Sequence, residues 1–149
     1  MTRRIRRLLL PLLALLPACR TLPPPDQAEI PRTAAKLAAL HGPAPSAAVR
    51  AEASQLAETA HTEAAEAARR FRVDTPAWMH NLLVNVRLKP GGLCWQYMDC
   101  LHARLAARHP RHFQLRFAVQ ARSDVFLEHN CVVVTAPGAP FSSGLVLDP

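Results

Sequence analysis

Cys94, His129 and Asp148 follow one another in the second half of the chain, 35 and 19 residues apart, and their side-chain types can supply a nucleophile, a base and an orienting acid. A cysteine attacks as thiolate, and the N–H groups at a helix N-terminus favour that negative charge. Pro90-Gly91-Gly92 forces a turn just before Cys94. After it, Trp95, Met98, Leu101 and Leu105 recur three or four residues apart, which predicts a helix from Cys94 to His109 that starts at the cysteine. A base must reach the thiol, and Glu128-His129-Asn130-Cys131 supplies an imidazole at the head of an apolar run. A third group should orient the ring. Asp148 lies on the next predicted strand, and a hairpin centred between Gly138 and Ala139 sets it opposite His129, with Cβ atoms about 4.5 to 5.5 Å apart. The carboxylate then accepts from one ring nitrogen and leaves the other toward the thiol. Such a set performs acyl transfer.

The elements that must position these residues are legible from pattern. Ser46 is placed as the N-cap of an alanine-rich helix reaching Arg72, with Glu and Arg on its polar face and His61 as one solvated member. Asp74-Thr75-Pro76 reads as a second helix start, a capping side chain before proline at the first helical position, and the helix runs to about Leu88. Beyond the Cys94 helix the period changes to two. Phe113, Leu115, Phe117 and Val119 alternate with polar or small residues, as in a half-buried strand. Val125 to Thr135 and Gly144 to Asp148 read as two more strands, joined by a loop containing Pro137, Gly138 and Pro140. The expected fold is α+β, with N-terminal helices packed on a small antiparallel sheet in one domain over residues 46–149.

At these residues the chain resembles the transglutaminase-like cysteine peptidases. The matching features are Gly92-Leu93-Cys94-Trp95 at a helix start, His129 opening the strand Val132-Val133-Val134, and Leu147-Asp148-Pro149, over roughly residues 74–149. The resemblance implies a papain/transglutaminase-like core with Cys94 as nucleophile, His129 as base and Asp148 as orienting acid. It also implies an oxyanion held by the backbone N–H of Cys94 or Trp95, assisted by an amide side chain, for which Asn81 and Asn85 stand four apart on one helix face. No cofactor is implied, and the expected partner is a peptide or protein substrate. Relatives continue with further strand past this point, so the domain is expected either to be C-terminally truncated or to dispense with the last strand.

A zinc site built from Cys94, Cys100, Cys131 and His129 is disfavoured by spacing. There is no Cys-x-x-Cys pair, and residues six apart on a helix stand about 120° apart around its axis; His102, His109 and His112 read as solvated. No metal is assigned. Cys131, two residues past His129, shares its strand face and is expected either to pack under the histidine or to approach Cys94 closely enough for a disulfide.

Composition narrows the setting. Of 149 residues, 50% are hydrophobic and 19% charged, which excludes both intrinsic disorder and a multispanning membrane protein. Basic residues outnumber acidic ones 18 to 11, but four arginines fall in the first seven positions and no aromatic interleaving accompanies the rest, so nucleic acid is not an expected partner. Residues 1–18, with Arg3, Arg4, Arg6 and Arg7 before the apolar run Leu8 to Leu16, have the order of a signal peptide. Leu16-Pro17-Ala18-Cys19 resembles the lipobox of bacterial lipoproteins, which implies lipidation at Cys19 and attachment to a membrane of the cell envelope. Arg20 after it resembles the outer-membrane sorting pattern. Residues 19–45, rich in proline, read as a tether, with a short helix near Thr33 to His41. The alternative to an enzyme is a non-catalytic lipoprotein adaptor that keeps the fold.

Overall fold

A computed structural model of the protein describes residues 28–120 and 129–148. The segments expected to be a signal peptide and to carry lipid at Cys19 lie outside the described residues, as do residues 125–128 at the head of the second predicted strand. Four helices precede a three-stranded sheet: α1 (Glu29–Ala39), α2 (Ala47–Arg70), α3 (Ala77–Asn85), α4 (Cys94–Ala106), β1 (Gln114–Gln120), β2 (His129–Thr135) and, after a short 3-10 turn at Phe141–Ser143, β3 (Leu145–Leu147). The strands are antiparallel in the order β1-β2-β3. The chain is α+β, as its pattern predicts.

Ser46 caps α2, its Oγ accepting from the Val49 N–H at 3.2 Å. The alanines Ala53, Ala57 and Ala60 let α1 approach closely, and Leu37 of α1 is sealed against them. The expected tether therefore ends earlier than Pro45. The turns of α1 that carry Ala34, Leu37 and Ala38 belong to the core, because those three share one apolar face. On its other side α2 meets Leu101 and Leu105 of α4. The sheet closes the core through Val132, Val134 and Leu147.

Polar clamps hold this stack. Glu63 of α2, almost wholly buried, accepts from Arg104 of α4 at 2.8 Å and from Arg70 at 3.1 Å. Both arginine heads stay exposed, so the one desolvated charge is doubly compensated. Glu52 accepts from the backbone N–H of Arg111 and His112 and from the His112 ring, fastening the chain after α4 to the start of α2.

Helix ends differ in detail from expectation. α3 starts one residue later, at Ala77, with no side-chain cap; Asp74 instead pairs with Lys89, which also donates to the Arg72 carbonyl. α2 and α3 both close by the same reversal. The Val73 N–H returns to Ala68 O and Arg72 N–H to Arg69 O, and likewise Leu88 N–H to Leu83 O and Arg87 N–H to Val84 O. The turning residue is an arginine with φ of 56° at Arg72 and 62° at Arg87, a left-handed conformation usually given to glycine. That closure ends α3 at Asn85 rather than near Leu88.

Candidate functional site

The start of α4 is fixed by the turn before it. Gly92 has φ of 107°, which side chains other than glycine's strongly resist. Gln96 Oε1 accepts from the backbone N–H of Gly92 at 2.8 Å and Leu93 at 3.1 Å, the return half of a capping box. Under the turn lies His80 of α3, only 2% exposed. Its Nε2 donates to Gly91 O at 2.8 Å, and a Cβ on Gly92 would overlap that nitrogen. The other ring nitrogen, Nδ1, is buried without a hydrogen-bond partner.

Cys94, half-buried on the first turn of α4, accepts at Sγ from Asn130 Nδ2 at 3.4 Å. Asn130 is 4% exposed and stands on the core-facing side of β2 with Val132 and Val134, directly opposite Val119 of β1. The amide that reaches the thiol is therefore that of Asn130. Asn81 and Asn85, expected in that role, are exposed on α3, and Trp95 is exposed beside the cysteine.

His129 and Asp148 meet, with His129 Nε2 donating to Asp148 Oδ2 at 2.9 Å and both side chains about half exposed. The register differs from expectation. Val132 pairs with Leu147 and Val134 with Leu145, which sets Asp148 beside Cys131 rather than His129. The tight turn from Ala136 to Ala139 and the 3-10 turn after Pro140 displace the hairpin centre. The partner shift is two residues, an even number, so Asp148 stays on the face of His129 and reaches it diagonally. With the ring proton on Nε2, Nδ1 is the nitrogen able to accept another.

Alternation on a strand sends Asn130 to one face and both His129 and Cys131 to the other. The expected approach of Cys131 to Cys94 is thus corrected, since Cys94 of α4 meets the Asn130 face of β2 while Cys131 belongs to the other, and neither forms a disulfide among the described residues. Burial pushes the Cys131 thiol up, and the Asp148 charge beside it adds to the effect. Cys100 is engaged elsewhere, accepting from Arg70 at 3.3 Å, and His102 lies on the Phe117 ring with centroids 4.1 Å apart. Half-buried His61 bonds to Thr33 Oγ1 at 3.0 Å, where sequence had it solvated. Among the described residues no three His, Cys, Asp or Glu side chains are grouped to hold a metal ion.

Two residues of the site escape a reading for catalytic types. Asn130 had one available signal, a polar side chain between His129 and an unbroken valine run. His80 had none beyond a lone histidine in an otherwise uncharged helix. Comparison of the chain with protein-family models, with curated proteins and with solved structures returns no match.

Proposed function

We propose that the protein is a thiol acyl-transfer enzyme of the cell envelope, with a papain/transglutaminase-like core and Cys94 as nucleophile. The observation that carries this reading is that consecutive residues of β2 engage the other two members of the set: His129 bonds to Asp148 while Asn130 bonds to Cys94. In this reading His129 Nδ1 takes the thiol proton, which requires the ring to swing from the face of β2 on which it meets Asp148 to the face on which Asn130 meets Cys94. The thiolate adds to a substrate carbonyl. The oxyanion is met by the Trp95 N–H at the helix start and by Asn130 Nδ2, a donor already beside the sulfur. Collapse expels the leaving amine with the proton returned by His129, and water or a second amine releases the acyl group from sulfur. The substrate is a peptide or protein. The molecule is held in the envelope by lipid on Cys19, with the periplasmic face of the outer membrane as its place.

The second reading, a non-catalytic lipoprotein adaptor, is favoured by the face alternation that points His129 away from the side on which Asn130 meets Cys94. Alkylation kinetics separate the two. An enzyme of this kind reacts with iodoacetamide at Cys94 faster than at Cys100, and His129→Ala slows that reaction. Equal rates at both cysteines, unaffected by His129→Ala, sink the acyl-transfer reading and leave the adaptor.

A further inference from the structure

α3 is the one described helix with no Asp, Glu, Lys or Arg, and it hides little of itself. Its buried side is His80 on the turn before α4. Trp78 and Leu82, and Val86 just past the helix end, form an i, i+4, i+8 stripe on the outside, with Trp78 67% and Leu82 54% exposed. Leu88 follows at 72%. The charges around this stripe are mostly cationic: from Ala67 to Asp99 the chain carries Arg69, Arg70, Arg72, Arg87 and Lys89 against Asp74 and Asp99. Arg70 is committed to Glu63 and Lys89 to Asp74. Arg69, Arg72 and Arg87 are exposed and form no ion pair among the described residues. Because Lys89 also bonds to the Arg72 carbonyl, the two flanks of α3 are tied together and their arginines stand at one end of the apolar stripe.

We propose that this stripe seats the protein on an anionic lipid bilayer, with Trp78, Leu82 and Leu88 entering the interface and Arg72 and Arg87 meeting lipid phosphates. An exposed apolar stripe carrying tryptophan, with exposed arginines at its flank, offers the two contributions interfacial binding draws on, buried apolar area and attraction to anionic lipid. Charge complementarity selects anionic lipid over a neutral surface, each arginine near such a surface being worth about fivefold in partitioning. A second copy fits less well. Four or five side chains fall far short of the roughly 20 to 30 residues a side that a stable protein interface uses. This docking is independent of the thiol chemistry.

The chain has only two tryptophans, Trp78 and Trp95, which makes the test specific. The full chain carrying Trp95→Phe, with Trp78 as sole fluorophore, is mixed with vesicles of phosphatidylcholine alone or with added phosphatidylglycerol. The expected result is a blue shift of emission with the anionic vesicles, absent with the neutral ones and reversed by salt. Arg72→Gln with Arg87→Gln should raise the anionic-lipid concentration needed for the Trp78 shift about 25-fold, two fivefold factors, with helical circular dichroism unchanged. Co-sedimentation without a change in Trp78 emission would overturn the proposal and assign binding to the N-terminal segment. A blue shift that grows with protein concentration in the absence of vesicles would assign the surface to a second copy. No binding to either vesicle overturns it outright.

Discussion

The imidazole of His80 occupies the space that a side chain on Gly92 would need, and its Nε2 donates to the carbonyl of Gly91. Gly92→Ala therefore both strains a positive φ and drives a methyl into a buried ring. It should cost about 1 to 3 kcal/mol in urea unfolding and slow Cys94 alkylation, because the displaced turn is the one that starts α4. Wild-type values in both measurements would show that the ring does not fix the turn.

Asn130 is expected to govern the reactivity of Cys94. Asn130→Ala removes the donor on Sγ and should lower the alkylation rate about tenfold, the worth of one hydrogen bond to an ionised group. Competitive labelling with peptide mapping reads this directly. A rate equal to wild type would mean that the amide serves packing alone.

Cys131 should be the slowest thiol, since burial and the neighbouring Asp148 carboxylate both disfavour its thiolate. Asp148→Asn removes the charge and leaves the burial. The pH at which Cys131 begins to react should then fall toward, without reaching, that of an ordinary thiol. The measurement is a pH series of alkylation in a Cys94→Ser, Cys100→Ser background. An unmoved profile would separate Asp148 from the Cys131 side of β2.

Burial of Glu52 acts to raise its pKa, but hydrogen bonds from the His112 ring and from the backbone of His112 and Arg111 outweigh it, and the carboxyl titrates below its usual range. A depressed carboxylate stabilises the fold above its unfolded pKa, near 4.3, and that contribution is lost as pH falls through the lower folded value. Glu52→Gln should cost about 1 kcal/mol at pH 7, discounted for solvent screening. The wild-type and Glu52→Gln unfolding curves should converge once the pH has fallen through the lowered folded value. A gap of equal size at pH 7 and below that value would place the effect in packing rather than charge.

Helix starts and strand periods were legible because they rest on local chemistry. Ser46 bonds to Val49 N–H as its type demands, and Leu115 alternates inward as its spacing demands. Phe117 and Val119 share the alternation but stay exposed, because no sequence period says how far α4 extends over the edge strand. The His129 to Asp148 bond was readable as a hairpin relation, while its register was not, since the number of residues consumed between Ala136 and Gly144 depends on turn geometry. The Cys94 to Asn130 pairing lay beyond reach for a different reason. It depends on which face of β2 looks toward the helices, and with both faces of β2 largely buried the run Cys131 to Val134 carries no polar alternation to reveal it.

The arginines that close α2 and α3 adopt a backbone shape in which glycine would be relaxed. Arg72→Gly and Arg87→Gly should each raise the unfolding free energy by up to about 1 kcal/mol. Thermal denaturation of the two variants tests this. A chain selected for endurance alone would keep glycine at both positions. Cations there set durability against adhesion, so a thermostabilised form made by this route should hold its shape at higher temperature and cling less to acidic surfaces.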